Sequence, residues 1–137
     1  IQRLANGRWI QLTEREGAQF AAEFLPWTTG QQLSTTIRNT LRSDARQIWE
    51  RAAGALRTGQ QVHHRIPLEW AHLFPELDPN RLVNLYRVAN QAAHTRITNA
   101  WNAWRLTLNG RVPTAAEVLE QARRIDQQLG HLLTGAP

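Results

Sequence analysis

The chain has no cysteine and no lysine, and nowhere does it run for about 18 apolar residues. Without cysteine no disulfide staples the fold and no thiolate can hold a metal. A metal centre here must use His, Asn, Asp or Glu, a donor set for harder or borderline cations. Without a long apolar run no membrane span is expected. The opening residues also lack the charged-then-apolar pattern of a signal peptide. A first residue of Ile rather than Met is expected of a piece of a longer polypeptide. The missing lysine means that all 16 basic residues are Arg, as a GC-rich coding sequence would also produce.

The chain has 137 residues, the size of one domain with a real core. With 42% hydrophobic and 20% charged residues it reads as an ordinary soluble, globular composition. Its net charge is +5, and the excess is spread rather than gathered in a tail: residues 1–60 carry 8 Arg against 5 acids, residues 61–137 carry 8 against 6. Such an excess favours an anionic partner such as nucleic acid.

Residues 1–12 read as a lead-in with Trp9 and Ile10 as anchors. Thr13 and Glu16 form a capping box for a helix with Ala18, Ala21, Ala22 and Leu25 near one face, stopped by Pro26. Leu33, Ile37 and Leu41 fall at a helical spacing over Gln31 to Arg42. Ser43-Asp44 offers a cap for a third helix through Ile48, Trp49, Ala52 and Leu56, ended by Gly59. After a turn at Asn109-Gly110, a second box, Thr114 with Glu117, opens a last helix with Val118, Ala122, Ile125 and Leu129 inward. The tail from Thr134 to Pro137 reads as frayed.

Between these helical parts lies QVHHRIPLEWAHLFPELDPNRLVNLYRVANQAAHTRITN, Gln61 to Asn99, holding four of the five histidines. A short run ends at the pair His63-His64, with Pro67 and Pro75 soon after. A second apolar run, Leu82 to Val88, carries Asn84. A helix then opens near Asn90 and carries His94 in its first turns, continuing to Leu108. The order is strand, loop, strand, helix. The expected fold class is therefore mainly α with a small two-stranded β-hairpin, packed on helices because such a hairpin is unstable alone.

His63-His64, the phrase DPNRLVNL with Asn84, and His94 ten residues later resemble the HNH nuclease motif, in particular its His-His form in colicin-type DNases and bacterial polymorphic-toxin tips. The resemblance covers about 40 residues. It implies a ββα-metal core over 61–108, embedded in a helical part over 1–60 and a helix over 114–133, in a single nuclease domain. It implies that His64 is the general base, that His63 and His94 are metal ligands, and that Asn84 ties the loop so that His64 is aimed. The implied cofactor is one divalent metal ion, with Mg²⁺ favoured and Zn²⁺, Ni²⁺ or Mn²⁺ as other choices. Four residues after the helix ligand, where colicin-type DNases carry another His, this chain has Thr98. Asn90, Asn99 and the loop acids are open as a third ligand.

Arg65, Arg87 and Arg96 lie near these residues in sequence and are candidates to grip DNA phosphate, Arg65 first as a catalytic neighbour of the base. Glu69 is a candidate to orient His64 or Arg65, and Gln61 to support His64. His72 and His131 read as structural and solvated respectively, Trp101 and Trp104 as core, and Trp70 as either core or base-stacking. The resemblance further implies DNA cleavage with little sequence preference. It also implies a delivered or secreted bacterial effector acting in the target-cell cytoplasm, and a cognate immunity protein, acidic where it covers the basic surface. A chain without disulfides suits a domain that unfolds during delivery. Two other readings are an RNase of the same fold and a non-catalytic helical binding module with structural histidines. Adjacent strand residues point to opposite faces, so His63 and His64 can serve one phosphate only where the strand ends or bulges.

Overall fold

The computed structural model describes the backbone of residues 2–5, 8–11 and 13–137, and side chains from residue 13 onward except 20–24. The fold is mostly helical with a small antiparallel sheet. Two short strands, β1 (Gln2–Ala5) and β2 (Arg8–Gln11), pair as a separate antiparallel hairpin where the sequence read as a lead-in. The expected anchoring by Trp9 and Ile10 concerns side chains outside the described residues.

Helix α1 (Glu14–Phe24) starts at the predicted capping box: Glu16 N donates to Thr13 Oγ1 at 3.1 Å and Thr13 N to Glu16 Oε1 at 3.3 Å. It ends before Pro26, where a 3₁₀ turn follows. Ala18 and Leu25, predicted on its apolar face, are exposed.

Helix α2 (Thr35–Ala53) replaces the two helices expected here. Ser34 is its cap, accepting from Ile37 N at 3.2 Å. Ser43 and Asp44 lie mid-helix on its exposed side. Their capping potential loses because the apolar stripe does not break: Leu41, Ala45 and Trp49 are all buried at intervals of four. Packing of that stripe outweighs the weak local preference of Ser and Asp. The helix stops earlier than Gly59, at Gly54, whose φ is 99°.

The central sheet has three strands, not two. β3 (Gln61–His64) pairs with β4 (Leu85–Val88), His63 opposite Tyr86 and His64 opposite Leu85. β4 also pairs with β5 (Leu133–Gly135), drawn from the tail that read as frayed. The three residues Leu133, Thr134 and Gly135 are too few to carry an alternation that announces a strand. They are held because β4 needs a partner on its second edge. Leu82 to Asn84 form a 3₁₀ turn, so only the second half of the predicted run is strand.

Helix α3 (Gln91–Thr107) is capped by Asn90, which accepts from Ala93 N at 2.9 Å. Asn109 and Gly110 make the predicted turn with φ of 51° and 80°. Helix α4 (Ala115–Leu129) then opens on a complete Thr114–Glu117 capping box.

The sheet divides the core. On one face Tyr86 and Val88 pack with Ala93, Ile97 and Trp101 of α3 and with Val118, Ala122 and Ile125 of α4. On the other, Leu85 packs with Ala45 and Trp49 of α2, with Val62 alongside. Trp70 and Trp104 belong to the first cluster, at 6.1 Å between ring centroids, so Trp70 is core rather than a free stacking surface. Each such fully buried side chain contributes roughly 1.5–3 kcal/mol. α2 and α3 thus flank opposite faces of β3, which is an edge strand. Among the described residues no helix is long and apolar enough to cross a membrane.

Candidate active site

The free edge of β3 opens into a cleft of about 460 Å³ between α2 and α3. His63, His64 and His94 all line it. An edge strand resolves the geometric conflict posed by adjacent histidines. Their side chains leave opposite faces, but both faces border the same opening, and the strand ends at His64.

His63 meets His94 ring to ring, 4.4 Å between centroids and nearly perpendicular. The contact joins a strand residue to the N-terminal part of α3. Burial first, then the facing charges of His94, His64 and Arg42, push the His63 imidazole down to about 4. It is therefore neutral near pH 7, with a lone pair to give.

His64 is buried, and its Nε2 lies 2.6 Å from Asn80 Oδ1. The amide orientation follows from its other end: Asn80 Nδ2 donates to the Leu41 carbonyl of α2 at 3.0 Å. Its oxygen therefore faces the ring, and an amide oxygen only accepts. Nε2 must carry the hydrogen, which leaves Nδ1 as the basic nitrogen. Burial lowers the imidazole pKa, the Asn80 bond opposes this, and Arg42 lowers it further. The result is a neutral base in a fixed tautomer. Asn80 did not stand out in the sequence, because an Asn after Asp-Pro reads as a turn residue. Its backbone does make that turn, donating to Asp78 Oδ1 at 2.8 Å.

Asn84 lies in the loop between the two strands. It is 2% exposed and spans that loop. Its Oδ1 accepts from Ile66 N at 2.9 Å, and its Nδ2 donates to the Pro79 carbonyl at 2.8 Å. Its own carbonyl accepts from Arg65 N at 2.7 Å. One side chain thus clips the loop just after His64 and just before Asn80, the residue that holds His64.

The three arginines singled out by sequence do not line this cleft. Arg65 forms an ion pair with Asp126 of α4 and lies over the Tyr86 ring at 5.4 Å. Arg87 stacks on Trp49 at 5.8 Å and reaches Thr134 of β5. Arg96 is on the exposed side of α3. These partners lie 21 to 61 residues away in sequence, and nearness along the chain did not reveal them. Arg42 and Arg46 of α2 and Arg105 of α3 are the arginines in the cleft wall. Arg105 is held by Glu69, so Glu69 orients neither His64 nor Arg65. Gln61 bonds Gln91 rather than His64. His72 is half-buried and His131 exposed, away from the cleft.

Among the described residues no group of three His, Asp or Glu side chains stands together as a metal site. Asn90 is committed to capping α3, and Thr98, where another ligand would be sought, lines the cleft with Asn102. What the cleft offers a cation is the imidazoles of His63 and His94 and open space for water or phosphate oxygen. No protein-family model, curated protein or solved structure matches the chain.

Proposed function

We propose that this domain is a metal-dependent endonuclease of the HNH, ββα-metal type, acting on DNA with little sequence preference. The observation that carries the reading is the convergence of His63, His64 and His94 on one cleft, with His64 locked in a single tautomer. Their order along strand, loop, strand and helix agrees with the motif the sequence resembles.

In this reading His64 Nδ1 takes a proton from a water molecule as its oxygen attacks phosphorus. A P–O bond forms from that oxygen and the bond to the leaving sugar oxygen breaks. Asn80 keeps the imidazole oriented and stabilises the imidazolium through Nε2–H. Asn84 keeps the loop closed around that pair. His63 and His94 would hold one divalent ion, which supplies Lewis-acid neutralisation of the phosphate charge. A pair of imidazoles with no carboxylate suits Mn²⁺, Ni²⁺ or Zn²⁺ better than the Mg²⁺ favoured on sequence, and leaves most coordination positions to water and substrate. The wider reading is a toxin domain of a bacterial effector, delivered to a target-cell cytoplasm and neutralised in the producer by a cognate immunity protein.

The polymer is decided by digestion. Supercoiled plasmid, a single-stranded DNA circle and total RNA are incubated with the protein and each divalent ion in turn. Loss of both DNA forms with intact RNA is the expected result. Degraded RNA beside intact DNA makes the enzyme an RNase. Survival of all three leaves the histidines a structural role in a binding module.

A further inference from the structure

Helix α2 carries Arg38, Arg42 and Arg46 at intervals of four, one above another on a single face. This row lies one residue, about 100° of helix, from the stripe Ile37, Leu41, Ala45 and Trp49 that packs toward the sheet and loop. A row next to a buried stripe borders whatever that stripe packs on. Arg42 and Arg46 accordingly stand in the wall of the histidine cleft. Arg38 continues the row one turn beyond it.

None of the three is held by a buried carboxylate among the described residues. Among the described residues no carboxylate pairs with Arg38 or Arg42. Arg38 Nε donates to the Leu33 carbonyl at 3.1 Å, which fixes its stem, and Arg42 Nη1 donates to Asn39 Oδ1 at 2.9 Å. Arg46 Nε meets Glu50 Oε1 at 3.1 Å, with the Arg46 side chain 62% exposed. An exposed pair of that kind is weak and readily exchanged. Glu50 has a separate task, accepting from Leu56 N at 3.0 Å where the chain leaves α2. The spacing along the row is about 6 Å, one helical turn, comparable with the step between phosphates of one strand.

We propose that Arg38, Arg42 and Arg46 form a phosphate track: one strand of nucleic acid lies along α2, with the phosphate beside Arg42 and Arg46 leading into the histidine cleft. The inference rests on the nuclease reading for its substrate, but its test needs no cleavage. Fluorescent oligonucleotide binding is measured in the His64→Ala background and, in parallel, with the wild type in EDTA. Arg38→Gln, Arg42→Gln and Arg46→Gln are combined, and Arg123→Gln with Arg124→Gln on α4 serves as control. Circular dichroism checks folding; Gln is a good helix former on an exposed face. The triple variant is expected to bind at least tenfold more weakly, and the slope of log affinity against log salt is expected to fall by about 0.7 for each arginine removed. The control is expected to keep its affinity within about twofold. If the protein cleaves nothing yet shows this pattern, the track stands and the nuclease reading falls. Equal affinity of the triple variant and its parent overturns the track, even for an active nuclease, and leaves the row as a surface for an acidic protein.

Discussion

His64→Ala is expected to fold as the wild type does and to cleave plasmid at least 10²-fold more slowly, the lower end of what a positioned general base contributes. The fold should survive because the ring closes one end of the sheet rather than filling the central core: it lies at the last residue of β3 and borders the cleft. Its loss strands only the Asn80 oxygen, which cleft water can satisfy. The chemistry should not survive. Among the three cleft histidines, His64 alone has its proton fixed on Nε2 by an acceptor that cannot itself give one. Cleavage rates at equal protein, with near-ultraviolet circular dichroism as the folding control, decide the matter. A variant that is folded and retains more than a tenth of wild-type cleavage would remove His64 from the role of base.

Asn84→Ala is expected to carry the largest stability cost of any single polar replacement in the site. The substitution leaves the Ile66 N–H and the Pro79 carbonyl without their partner in a nearly sealed place. Each stranded group costs roughly 1–3 kcal/mol. Asn84→Asp separates the two halves: a carboxylate can still accept from Ile66 but cannot donate to Pro79, so it should recover only part of the loss. Urea unfolding gives the stability. Cleavage measured well below the unfolding midpoint should still fall for both variants, because Pro79 precedes Asn80, and Asn80 sets the tautomer of His64. An Asn84→Ala protein as stable as wild type would mean that the loop does not depend on this clip.

Local signals in the sequence carried far where the physics is local. Both capping boxes, the Pro26 stop, the Asn109-Gly110 turn and the start of α3 depend on neighbours within four residues, and all are legible. The nearness of His63 to His94 was an expectation only through the motif the sequence resembles, since element order alone does not bring two side chains together. What was illegible depends on distant partners. α2 runs through Ser43-Asp44 because of what Leu41, Ala45 and Trp49 pack against. β5 exists because β4 has a second edge. Arg65 looks free beside the base until Asp126 arrives on α4. Arg42 lies more than 20 residues before His64 and reads as an ordinary exposed helix charge until the helix is laid along the cleft. Asn80 was hidden differently: its turn role explains the residue completely, and nothing nearby shows that its side chain faces a histidine 16 positions earlier.

The most direct test of the metal–histidine nuclease is plasmid cleavage by protein stripped of metal and then resupplied. Wild type, His63→Ala and His94→Ala are incubated with supercoiled DNA in EDTA, and then with excess Mn²⁺, Ni²⁺, Zn²⁺ or Mg²⁺. The account predicts intact plasmid in EDTA and nicked and linear products from wild type once a suitable ion returns. It also predicts a requirement for much more of that ion, or no recovery, in either histidine variant. Wild-type cleavage undiminished by EDTA, or both variants activated at the wild-type ion concentration, would contradict it.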